Sequence, residues 1–207
     1  PVTFTVLSGP AVLESGNKLR FTKPGTVTVR ATQAGNANWL SAIATRTFDV
    51  IVRVKNDFDG DLKADYAVYR ESDGTWNAWI SGGNYYMAFA SGWGGPGYVP
   101  VCGDYDGDLK TDPTVYHRTT GTCMTWLSTS GYASMSAMNW GGAGWTAAPA
   151  DYDGDEKTDP AIYQEATGTW QAWLSGSGYA VVMASGLGGP GSVPVPEDYD
   201  GDFKADP

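Results

Sequence analysis

The stretch Asp57-Phe58-Asp59-Gly60-Asp61-Leu62-Lys63-Ala64-Asp65, followed by Tyr66-Ala67-Val68-Tyr69, decides how this chain is read, because its nine-residue frame occurs four times. Aspartate stands at the first, third, fifth and ninth positions and glycine at the fourth. The frame returns as Asp104, Asp106, Asp108 and Asp112 with Gly107, as Asp151, Asp153, Asp155 and Asp159 with Gly154, and as Asp198, Asp200, Asp202 and Asp206 with Gly201. The first aspartates are 47 residues apart throughout, so the chain counts out units starting near 57, 104, 151 and 198.

Between the loops the sequence alternates with period two. Tyr66-Ala67-Val68-Tyr69, then Thr75-Trp76-Asn77-Ala78-Trp79-Ile80-Ser81, then Tyr85-Tyr86-Met87-Ala88-Phe89-Ala90 each read as a half-buried strand. The same columns hold Thr114-Val115-Tyr116 with Trp126-Leu127-Ser128, and Ala161-Ile162-Tyr163 with Trp173-Leu174-Ser175. Glycine turns such as Gly94-Gly95-Pro96-Gly97 close each unit. The expected unit is a four-stranded antiparallel sheet, which stacks on its neighbours because it cannot bury both faces alone.

The loops carry chemistry of their own. A hard cation of calcium's size takes six to eight oxygens, and alternate residues of a tight loop can turn their carboxylates to one centre. The candidate ligands are the sixteen aspartates above, with the backbone carbonyls of Lys63, Lys110, Lys157 and Lys204 at the seventh position. Phe58, Tyr105, Tyr152 and Tyr199 at the second position are expected to point away from the ion and pack on the sheet. The loops offer no Cys or His for zinc. Sixteen of the 23 acidic residues are these loop aspartates, so the formal charge of −10 is mostly theirs, and up to four Ca²⁺ ions would offset most of it.

These loops resemble those of the FG-GAP and VCBS repeat family, in which Asp-x-Asp/Asn-Gly-Asp-Gly-x-x-Asp precedes a strand; Asp65-Tyr66-Ala67-Val68 and Asp159-Pro160-Ala161-Ile162 match that continuation. The resemblance covers residues 53–207 and implies calcium binding and β-propeller blades. One departure is the sixth position, where Leu62, Leu109, Glu156 and Phe203 replace the family's usual glycine, so the local backbone is expected to differ slightly. Three complete units and a fourth loop leave three architectures: part of a propeller, a pseudo-threefold barrel, or an open stacked array, which the constant spacing favours.

Residues 1–52 lack the period and read as a separate β region, with strands over Thr3–Leu7, Lys18–Phe21, Thr26–Ala31 and Thr47–Val52. The run Gly25-Thr26-Val27-Thr28-Val29-Arg30-Ala31, with Gln33-Ala34-Gly35-Asn36 and the Phe48-Asp49-Val50 strand, resembles bacterial immunoglobulin-like domains, which implies an incomplete β-sandwich. Val52-Arg53-Val54 stands in the register of Val99-Pro100-Val101, so the last strand of this domain is expected to lead directly into the first sheet. The chain as a whole is therefore expected to be all-β. Pro1 and Asp206-Pro207 are expected to be cut points in a longer or processed polypeptide.

Other features narrow the function. The acidic balance argues against nucleic acid, whose phosphates need clustered Lys and Arg, and no apolar run is long enough to insert in a membrane. Cys102 and Cys123 occupy columns that hold Pro149 and Trp170 in the next unit, and this paired departure suggests a disulfide, in keeping with an extracellular or cell-surface location. His117 has counterparts Arg70 and Gln164 and does not read as a catalytic base. Most of the tryptophans read as core or stacking residues. The expectation is a non-enzymatic, secreted calcium-binding repeat protein, a stalk, adhesin or filament component whose partners are copies of itself or adjacent repeats. The alternatives are a propeller that binds glycans and a noncatalytic module of a secreted polysaccharide enzyme.

Overall fold

The computed structural model describes residues 1–50, 52–137 and 140–207, and the chain divides into two compact units, Pro1–Arg53 and Val54–Pro207. Both are built from antiparallel strands, and none of the sheets closes on itself. In the first unit, β1 (Val2–Ser8), β4 (Gly25–Gln33) and β5 (Ala42–Val50) form one sheet in the order β1-β4-β5, and β2 (Ala11–Glu14) pairs with β3 (Lys18–Phe21) as a hairpin. Val27 is fully buried, and Phe21 meets Phe48 edge-on at 5.9 Å. Strand β2 was not foreseen, and Ile51 of the expected last strand lies outside the described residues.

The second unit contains three sheets in succession. The first is β6 (Tyr66–Arg70), β7 (Thr75–Ile80) and β8 (Tyr86–Ala90). The second is β9 (Tyr98–Pro100), β10 (Thr114–His117), β11 (Cys123–Leu127) and β12 (Ala133–Ala137), in spatial order β12-β11-β10-β9. The third is β13 (Trp145–Ala147), β14 (Ala161–Gln164), β15 (Thr169–Leu174) and β16 (Ala180–Ala184). The second and third aspartate loops thus each join two neighbouring antiparallel strands of one sheet, and the bridges Gly103↔Asp112 and Ala150↔Asp159 close them at the base.

The first sheet departs from the expected four strands. Val52–Val54 forms no strand, so β6 has no partner on that side. The cause lies next door: Asn56 takes a left-handed φ of 63°, which turns the chain off the extended path that Gly103 and Ala150 keep at the same position. The second strands are also shorter than expected. Ser81, Ser128 and Ser175 end them and open one-turn 3₁₀ helices, Ser81–Gly83, Ser128–Ser130 and Ser175–Ser177.

Alternation along the strands sends one side chain of each pair to either face. On one face of the second sheet Tyr116 and Cys123 join Ile162 of the third in a single cluster, packed round by Val99, Val101, Trp145 and Trp173. Consecutive sheets are therefore stacked face to face. Indole pairs pin them together: Trp93 lies flat on Trp126 at 4.1 Å, and Trp140 meets Trp173 at 4.5 Å, contacts worth about 0.5–1.5 kcal/mol each beyond the area they bury. Val115 and Ile162 are fully buried, whereas Val68 in the same column of the first sheet is 66% exposed.

Candidate metal centres

Each aspartate loop winds tightly because its carboxylates accept the loop's own backbone N–H groups. In the first loop Asp57 Oδ1 accepts from Gly60 N at 2.7 Å and Oδ2 from Leu62 N at 2.8 Å, while Asp59 Oδ1 accepts from Asp61 N at 3.1 Å. The second and third loops repeat the Asp57 pattern through Asp104 and Asp151, and the fourth through Asp198. The seventh-position N–H groups of Lys63, Lys110, Lys157 and Lys204 donate to the fifth-position carboxylates, each at 2.9 Å.

The sixth position has the same backbone conformation in all four loops. Leu62, Leu109, Glu156 and Phe203 have φ of 64°, 72°, 70° and 69°, the left-handed conformation that glycine would adopt. The four loops share this turn, and the strain is borne by the backbone of ordinary residues.

The ninth aspartate ties the loop to its sheet. Asp65 accepts Phe58 N at 2.8 Å and Ser81 N at 2.7 Å; Asp112 accepts Tyr105 N at 2.9 Å and Ser128 N at 2.8 Å; Asp159 accepts Tyr152 N at 2.8 Å and Ser175 N at 2.7 Å. The third-position carboxylate reaches the same 3₁₀ turn, Asp59 Oδ2 accepting Gly82 N at 2.8 Å. A Cβ on Gly82 would stand 2.5 Å from that oxygen, and in the second loop Thr129 holds the same place with a longer bond, its N–H reaching Asp106 Oδ2 at 3.1 Å. Sequence reasoning missed this serine turn, although a serine recurring at 81, 128 and 175 was the signal that could have found it.

The result is a convergence of oxygens. Carboxylates of Asp57, Asp59 and Asp61, and of Asp104, Asp106 and Asp108, bring ligand atoms within 4.8 Å of one another. In the other two loops the close trio is Asp151, Asp153 and Asp159, and Asp198, Asp200 and Asp206. The second-position rings turn away as expected: Phe58 and Tyr105 are buried, and the Tyr105 hydroxyl donates to Val101 O at 2.7 Å. Tyr199 makes the matching bond to Val195 O but is exposed.

Electrostatics favour a cation here. Burial pushes the Asp112 carboxyl up to about 6, with the Asp106 charge acting in the same direction, and burial also raises Asp159. Asp61 moves the other way because its hydrogen bond from Lys63 favours the charged form. In the first and third loops the serine hydroxyl satisfies the fifth-position carboxylate, Ser81 Oγ to Asp61 at 3.0 Å and Ser175 Oγ to Asp155 at 2.8 Å. In the second loop Asp106 Oδ1 and Ser128 Oγ are both buried with no hydrogen-bonding partner. An orphaned carboxylate oxygen beside an all-oxygen donor set fits a hard divalent cation and is compatible with calcium.

Successive loops are linked. Thr111 N donates to Asp57 O at 2.6 Å, Thr158 N to Asp104 O at 2.7 Å, and Ala205 N to Asp151 O at 2.6 Å, so each loop hangs from the first aspartate of the one before. The aliphatic part of the seventh-position lysine crosses the glycine of the preceding loop: a Cβ on Gly60 would lie 3.0 Å from Lys110 Cε. Lys63, in the first loop, instead turns its ammonium onto its own Asp61 at 2.8 Å.

Cys102 and Cys123 are both free thiols. They flank β10 from opposite sides: Val101 N bonds Thr114 O, while Cys123 pairs with Tyr116. Two strand spacings separate their backbones by about 10 Å, beyond the roughly 7 Å that a disulfide spans. They also face opposite ways, since Val101 shares the Cys123 cluster and Cys102 alternates with it. The expected internal bridge does not fit this sheet. His117 ends β10, its Nδ1 accepting the N–H groups of Thr119 and Thr120 in the turn that follows.

Comparison with protein-family models, curated proteins and solved structures finds no match to this chain.

Proposed function

We propose that this chain is a calcium-binding repeat module of the FG-GAP and VCBS type, preceded by an immunoglobulin-like unit, and that it serves as a non-enzymatic extracellular scaffold. The observation that carries the reading is the chain of loops: clustered carboxylates recur at one spacing, and each loop is hydrogen-bonded to the first residue of the last. An ion in one loop fixes the carbonyl from which the next loop hangs. The seventh-position carbonyls of Lys63, Lys110, Lys157 and Lys204 complete the proposed shells. A row of such ions stiffens the array, as a stalk or filament component needs, and adjacent repeats or further copies of the chain are its proposed partners.

Binding to the folded loops alone stabilises the fold by RT ln(1 + [L]/Kd) per site, about 2.7 kcal/mol at a hundredfold excess over Kd. Thermal unfolding followed by circular dichroism in calcium and in EDTA tests this. Calcium is expected to raise the Tm by several degrees, and titration calorimetry to count up to four sites. A Tm unchanged by EDTA would sink the proposal.

A further inference from the structure

A cleft of about 650 Å³ opens between the first and second sheets of the Val54–Pro207 unit. Its floor is Ala67, Ala78 and Ala88, which stand side by side because Ala67 pairs with Ala78 and Ala78 with Ala88. The same row in the second sheet is Thr114, Thr125 and Met135, and in the third Ala161, Ala172 and Val182. The first sheet alone has a methyl group at all three places, so the space beneath the next sheet is left open. Across from the floor lie Pro113 and Trp126, the indole held flat against Trp93. A slot between a flat sheet and an indole admits a planar ring, and its volume lies within the roughly 300–1,000 Å³ usual for small-molecule sites.

Two charged residues line the cleft, Asp59 and Lys110. Asp59 is already engaged, its oxygens accepting Asp61 N and Gly82 N. The half-buried Lys110 is not: among the described residues its ammonium has no hydrogen-bond or ion-pair partner, in contrast to Lys63. Lys110 is thus the charged group lining the cleft that is left without a partner.

We propose that this cleft binds a small aromatic carboxylate, its ring between the alanine floor and Trp126 and its carboxylate on the Lys110 ammonium. The whole chain is titrated with phenylacetate, benzyl alcohol and benzylamine, by calorimetry and ligand-observed NMR. Phenylacetate is expected to bind saturably and at least tenfold more tightly than benzylamine. Ala78→Leu fills the floor and is expected to abolish binding of all three, with Ala88→Leu as the second variant should the first fail to fold. Lys110→Met keeps the aliphatic cover over Gly60 and is expected to bring phenylacetate down to the level of benzyl alcohol, leaving benzyl alcohol unchanged. Absence of saturable binding, benzylamine binding as tightly as phenylacetate, or a folded alanine-to-leucine variant that still binds would overturn the proposal.

Discussion

At the scale of single residues, the loops carry strain that a better sequence would avoid. Glu156 is exposed and left-handed, and its N–H still bonds Asp151 Oδ2 at 2.9 Å. Left-handed backbone costs a non-glycine residue about 1–2 kcal/mol, while glycine loses about 0.4–1 kcal/mol through the greater freedom of its unfolded chain. Glu156→Gly is therefore expected to stabilise the protein by about 0.5 kcal/mol in chemical denaturation, and a loss would show that the side chain contributes something unseen. The thiols make a second case. Burial pushes Cys102 and Cys123 each up to about 11, so neither supplies thiolate at neutral pH. Both are expected to resist iodoacetamide at pH 8 in the folded state and to react as two thiols in guanidinium without reductant; a count of zero would reveal a bridge. The paired departure at 102 and 123 was legible in the sequence, but its meaning was not. Whether two side chains share a face depends on strand order, which spacing alone does not contain.

At the scale of elements, the unit joined by loop and sheet is larger than the nine-residue motif. The 3₁₀ turn after each second strand closes the loop from the other side, with Ser81 N and Gly82 N held by Asp65 and Asp59. Ser81→Pro tests this clamp cleanly, because Ile80 before it is already extended, at φ −85° and ψ 117°. Proline removes only the N–H and the hydroxyl, and Ser81→Ala separates the hydroxyl from the pair. Loss of the N–H leaves an oxygen of Asp65, which is 5% exposed, without its donor, at a cost of about 1–3 kcal/mol. Ser81→Pro is expected to lower stability by that amount relative to Ser81→Ala, and to weaken the proposed calcium binding at the first loop; equal stability of the two variants would remove the clamp. The period-two pattern made β7 legible as far as Ile80. Ser81 was read as one more strand residue because what ends the strand is a pair of carboxylates, one of them 16 residues before Ser81 and the other 23 before Gly82.

At the scale of the whole molecule, the Val54–Pro207 unit is a stack of sheets whose first member leaves one face uncovered: Val68 and Trp79, 66% and 55% exposed, stand in the columns where Val115 and Ile162 are fully buried and Trp126 and Trp173 are partly buried. The 47-residue spacing made the stacking legible, but not the three-stranded first sheet, which follows from one left-handed Asn56. The same stack concentrates charge. With carboxylates clustered in every loop, the metal-free protein is held together against its own aspartates, and pH shows which way the balance lies. Asp112 is raised to about 6 by burial from an unfolded value of about 3.9. The folded state therefore binds more protons than the unfolded state between those values, and the associated stability is present in full below about 4 and lost as pH rises through 6. Asp159 acts in the same sense and the half-buried Asp61 in the opposite one. In EDTA the Tm is expected to fall between pH 5 and pH 7. Asp112→Asn has a lower starting Tm, because an amide offers one acceptor where the carboxylate takes N–H groups from both Tyr105 and Ser128, but its profile is expected to be flatter. Calcium bound as proposed would reverse the sign, since an ion holds its carboxylates deprotonated, and stability in calcium is then expected to fall as pH falls. A wild-type profile in EDTA as flat as that of Asp112→Asn would mean that burial of this carboxylate does not govern the metal-free fold.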